Sequence, residues 1–112
     1  MAIKIDTTSG AEILEKLEFL VSQDIIRTWE IDDDKDYTIS SSKWNNKAWF
    51  RPHVTNAGAL VFGIISSKSH TMTKELYGVY HGRLATTILA HFDDAVSGIS
   101  ISSQIDRRFD IV

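Results

Sequence analysis

The chain lacks cysteine altogether, carries a single proline, Pro52, and has no apolar run near the length a membrane-spanning helix needs. Without cysteine there is no thiolate zinc site, no cysteine-ligated iron–sulfur cluster, no dithiol redox motif and no cysteine nucleophile, which fits a reducing compartment. An excess of basic charge is missing too. Twelve Lys and Arg stand against fifteen Asp and Glu, for a net charge of −3 and a pI of about 5.7, far from the balance of domains that sit on duplex nucleic acid. Residues 1–6 alternate apolar and charged side chains instead of leading with a basic stretch into an apolar one, so a cytoplasmic protein without membrane association is expected. Repeats, low-complexity tracts and Gly/Ser/Pro-rich linkers are absent. At 112 residues and 43% apolar content, one domain spanning 1–112 can bury enough surface to fold without metal or disulfide.

Two segments have helical periodicity. From about 9 to 23, Ile13, Leu14, Leu17, Leu20 and Val21 share one side opposite Glu12, Glu15 and Ser22. Ser9 and Glu12 have the spacing of a capping box, in which hydroxyl and carboxylate each satisfy an otherwise orphaned backbone N–H. A second helix is predicted over about 72–92, opened by Thr71 or Thr73, with Leu76, Tyr77, Tyr80, Leu84 and Ile88 on one face.

Between the helices, four segments near 25–31, 37–44, 47–55 and 59–66 read as strands separated by turn chemistry, and 98–103 reads as a last strand. Asn45-Asn46 suits a two-residue hairpin and Asn56-Ala57-Gly58 a three-residue loop with glycine in the left-handed position. The predicted fold is α+β: a two-layer sandwich of an antiparallel meander of about five strands with two helices, in the order α-β-β-β-β-α-β.

Those hairpins fix registers. With Asn45 and Asn46 as the loop, Trp44 faces Lys47, Ser42 faces Trp49, Ser40 faces Arg51 and Thr38 faces His53, all on one side of the sheet. Tyr37, Ile39, Phe50, Val54, Leu60, Phe62 and Ile64 take the other side, which is the expected core. If both helices cover that core, the opposite face is open and carries Trp44, Lys47, Trp49, Arg51, His53 and Ile65, with Val61 and Gly63. Aromatic and arginine side chains concentrated on an exposed patch mark recognition surfaces. A homodimer interface and a heterologous protein partner are both consistent with it.

Other chemistry is thinner. Asp32, Asp34 and Asp36 follow the first half of a calcium-loop spacing, but Tyr37 stands where the sharp turn needs glycine and Lys43 where the bidentate glutamate belongs. A solvated acidic loop is the expectation, with no metal and no cofactor. The stretch 41–55 has Lys43, Lys47 and Arg51 interleaved with Trp44, Trp49, Phe50 and His53 and no acid, the pairing single-stranded nucleic-acid sites use. His53 with Arg51 offers acid–base groups for a small hydrolytic or ligand-binding site, to which Tyr80 and His81 on the second helix are candidates to add a pocket wall. His81 and His91 lie ten residues apart and cannot hold one metal together; His91 reads as a core-edge histidine bonded to backbone. With no complete catalytic constellation, the leading expectation is a non-catalytic interaction protein, accessory, immunity-like or chaperone-like. Binding of single-stranded nucleic acid and a small hydrolytic or ligand-binding domain are the alternatives.

Overall fold

A computed structural model of the protein describes residues 3–112. The elements run β1 (Ile3–Asp6), α1 (Gly10–Ser22), β2 (Trp29–Ile31), β3 (Tyr37–Ile39), β4 (Ala48–Val54), β5 (Leu60–Ser66), α2 (Lys74–Phe92), a single 3-10 turn (Asp93–Ala95) and β6 (Gly98–Ile101). The six strands form one sheet in the order β2-β3-β4-β5-β1-β6, antiparallel at every junction. The α+β architecture and its two helices are as the periodicity predicts. The strand before the first helix is an addition: Ile3 and Ile5 are fully buried while Lys4 and Asp6 face away, the alternation of a strand with one covered face. It inserts between β5 and β6, pairing Ile3 with Phe62 and Ile101.

One core cluster joins Ile13 and Leu17 of α1 and Leu76, Tyr80, Leu84 and Ile88 of α2 to strand residues that all point the same way, among them Ile3, Ile5, Tyr37, Ile39, Phe50, Leu60, Phe62 and Ile64. Both helices therefore lie on one face. Thr73 caps α2, accepting from the Leu76 N–H at 3.1 Å. The capping box of α1 does not form. Ser9 makes no side-chain cap; its own N–H goes to Thr7 Oγ1 at 3.0 Å, and Gly10 N–H goes to the Gly58 carbonyl at 2.8 Å. The β4–β5 hairpin tip thus does the work expected of the hydroxyl, and Gly58 takes the left-handed φ of +86° that its loop requires.

The β3–β4 connection departs from the two-residue hairpin. Only Tyr37 and Phe50 pair, and 40–47 forms a wide turn with Asn46 at φ +59°. Tyr80 of α2 explains the separation. Its hydroxyl accepts from Ile39 N–H at 3.3 Å, donates to the Trp44 carbonyl at 2.6 Å and lies 3.0 Å from Thr38 Oγ1. Asn45 Nδ2 donates to the Ile39 carbonyl at 2.9 Å, and Asn46 N–H to Thr38 Oγ1 at 2.9 Å. Side chains satisfy backbone groups that a continued ladder would have paired. Tyr37 now faces Phe50 instead of Val54, an even slip that keeps Tyr37, Ile39 and Phe50 on the predicted core face.

Candidate functional site

The β4–β5 register places Trp49 opposite Ile65, Arg51 opposite Gly63 and His53 opposite Val61, so Trp49, Arg51, His53 and Ile65 share the outer face, away from the helices, as predicted. That face is not open. Residues 102–112 cross it as a strap. A Cβ built on Gly63 would lie 2.0 Å from the Phe109 carbonyl oxygen, so glycine at this position is what lets one backbone rest on the other. The Phe109 ring centroid is 5.4 Å from that of His53, and Val61 is only 1% exposed. Ile111 N–H donates to the Ile64 carbonyl at 2.8 Å and Ser66 N–H to the Ile111 carbonyl at 2.9 Å, making a parallel bridge at Ile65.

Two aspartates hold the strap. Asp110, buried, accepts Ile64 N–H at 2.9 Å and Asp106 N–H at 2.7 Å. The Asp106 carboxylate accepts Arg108 Nε and Nη2 at 3.1 and 2.8 Å and the Arg108 N–H at 3.0 Å. The Arg108 guanidinium holds that carboxyl well below the usual carboxylate range. Its guanidinium carbon also lies 5.4 Å from the Phe109 ring centroid.

The charged residues predicted to share one surface are divided. Arg51 makes a two-point ion pair with Asp36, at 3.0 and 2.8 Å, and the Asp36 side chain is 6% exposed. The acid that 41–55 lacks is supplied by the neighbouring loop. Asp32, Asp34 and Asp36 present carboxylate oxygens within 4.8 Å of one another, but Asp32 Oδ1 is occupied with the N–H groups of Asp34 and Asp36, and Asp36 with Arg51. The cluster shapes its own turn.

Trp44 and Lys47 are not on the outer face at all. Both lie in the 40–47 turn; Trp44 is half-buried against the helix-side core, with Lys43 and Lys47 Nζ at 5.1 and 5.7 Å from its ring. Of the predicted group, the sheet gathers Trp49, Arg51, His53 and Ile65, and Trp44 with Lys47 forms a second, cationic-aromatic cluster before β4.

On α2 the histidine roles are exchanged. His91 is exposed, whereas His81 is 2% exposed, stacks on Tyr77 with centroids 3.9 Å apart and meets Phe50 edge-on at 4.9 Å. Its Nδ1 is 2.7 Å from the Tyr77 carbonyl, which fixes Nδ1 as the donor, and Nε2 has no hydrogen-bond partner among the described residues. Tyr77 and Tyr80 are committed to the Ser102 and Trp44 carbonyls, and Arg83 is exposed. Among the described residues, no histidine is hydrogen-bonded to a hydroxyl or a carboxylate. Sequence reasoning missed Phe109, Asp106 and Asp110, and placed His81 on a pocket wall where the structure buries it against Phe50. The one available signal was Gly63 facing Arg51, a strand glycine that already implied close backbone approach.

No helix among the described residues is long and apolar enough to cross a membrane. In comparisons with known proteins, no family model, no curated protein and no solved structure matches the chain.

Proposed function

We propose that the protein is a non-catalytic cytoplasmic interaction module that docks a protein partner through the uncovered strip of its outer sheet face, centred on Trp49 and bordered by Ile65, His53 and the Lys43–Trp44–Lys47 cluster. One observation carries this reading: Trp49 is half-buried on a regular strand, held in register beside a face the strap otherwise seals. An indole fixed in place adds large contact area at low entropic cost, which is why tryptophan dominates interface energetics. Single-stranded nucleic acid is the weaker reading, because the pairing of Arg51 with Asp36 leaves Lys43 and Lys47 as the cations beside the tryptophans, too few for strong phosphate neutralisation.

The test uses Trp49→Ala beside the wild type as bait in nuclease-treated lysate, with circular dichroism of both. The expected outcome is an unchanged fold and association weakened by more than about 1 kcal/mol. Equal capture by the two proteins, or capture that disappears with nuclease, overturns the reading.

A further inference from the structure

We propose that β6 pairs with β6 of a second copy of this chain, across a two-fold axis normal to the sheet, so that two six-stranded sheets become one. β6 is an edge strand, and an edge offers a row of unpaired N–H and C=O groups that proteins usually guard with charge, proline or a bulge. The other edge is guarded: exposed Glu30 stands mid-strand in β2, and three aspartates follow it at 32–34. Gly98-Ile99-Ser100-Ile101 has no such device and pairs with β1 without a bulge.

The surface beside this edge is apolar as well. Ile99 and Ile101 face the helix side with Ile5 and Ile3, and Ile101 is 46% exposed. On α2, whose Tyr77 hydroxyl reaches the Ser102 carbonyl just past β6, Gly78, Gly82, Ala85 and Leu89 fall within about 60° of one another at 100° per residue. That uncharged flank ends on Leu89, 57% exposed. Near its start, Gly78 lines a shallow cavity with Ile105.

A second copy fits both features at once. An isolated extended peptide would pair with the strand and leave the helix flank bare, whereas a symmetry mate brings its own α2 to the same height over the sheet. The two α2 helices then run antiparallel. Asp93 and Asp94, which follow the C-terminal end of α2 where its own dipole disfavours acids, come beside the mate's helix N-terminus and Lys74. Side-chain parity sets the register. Parity admits only registers with an even sum, and the one that sets each of the four isoleucines opposite another isoleucine puts Ser100 on the axis opposite Ser100 of the second copy, with Ile99 opposite its Ile101.

Sedimentation across a concentration series tests this on the wild type, Ser100→Lys and Ile101→Lys, with circular dichroism as the folding check. Ser100→Lys removes no buried contact, so it keeps the test informative if Ile101→Lys fails to fold. The expected result is a wild-type dimer whose affinity falls at least tenfold in the lysine variants. Ser100→Cys, in a chain with no other cysteine, is expected to cross-link as a disulfide dimer on mild oxidation. A wild type that remains monomeric, leaving the edge to a heterologous strand, overturns the proposal, as does a dimer indifferent to both lysines. A dimer that the lysines dissociate but Ser100→Cys does not cross-link overturns the axial register.

Discussion

His81 spends its burial on one hydrogen bond. Enclosed by Tyr77 and Phe50 with Nε2 unpartnered, it has its pKa lowered by burial, against the opposing pull of the Tyr77 carbonyl and Asp110. A histidine whose folded pKa is depressed binds fewer protons folded than unfolded, so its contribution to stability is complete above the unfolded value near 6.5. That contribution is lost as pH falls from there through the lowered folded value. Thermal melts are therefore expected to weaken below about pH 6.5, and His81→Phe, which keeps a ring between Tyr77 and Phe50, is expected to flatten that slope. An unchanged slope would place the titration elsewhere. Asp106 acts in a separate window: its depressed carboxyl loses its contribution only in strong acid. Phe62 tests the packing itself. Fully buried and edge-on to Tyr37 and Phe50 at 5.8 and 6.0 Å, it is expected to cost about 3–5 kcal/mol on truncation to alanine, measured by urea unfolding.

Among the elements, the strap depends on a single missing side chain. Gly63→Ala puts a methyl group where the Phe109 carbonyl lies, and because the obstacle is backbone, the strap must lift. The expected outcome is faster trypsin cleavage at Arg107 and Arg108, with the sheet and helices retained in far-UV circular dichroism; cleavage at the wild-type rate would mean the strap is held without that contact. This element explains what the sequence left unread. Hairpin parity placed Trp49, Arg51 and His53 on one face because alternation survives even slips in register. What covers that face depends on Asp110 reaching Ile64 and Phe109 resting on Gly63, contacts across 46 residues of sequence separation, with no periodicity to announce them. Likewise α1 was legible from its apolar stripe, while its N-terminal partner, the Gly58 carbonyl, comes from a distant hairpin. Asn45-Asn46 suggested a tight turn on local grounds, and Tyr80 of α2 overrides it by inserting its hydroxyl where the ladder would continue.

At the scale of the molecule, the order of strands is the least local property. Ile3 and Ile5 alternate with Lys4 and Asp6 over only four residues, a pattern too short to name its neighbours, yet β1 bridges β5 and β6 and thereby ties the two ends of the chain to its middle. That closure makes the unfolding behaviour predictable. Every strand and both helices contribute to, or pack against, one apolar cluster, so losing either helix uncovers the same strand face, and no subset of elements retains a core of its own. Three tryptophans report on three places: Trp29 inside the core with its Nε1 donating to Thr87 at 3.0 Å, Trp44 in the wide turn, and Trp49 on the outer face. Tryptophan fluorescence and far-UV circular dichroism are expected to follow one coincident transition in urea. Two separated transitions would mean that a helix or the strap folds apart from the sheet. A strap that comes away first would expose Val61 and His53 beside Trp49, enlarging the proposed docking strip at little cost to the core, and Gly63→Ala in the same titration distinguishes that case by abolishing the earlier step.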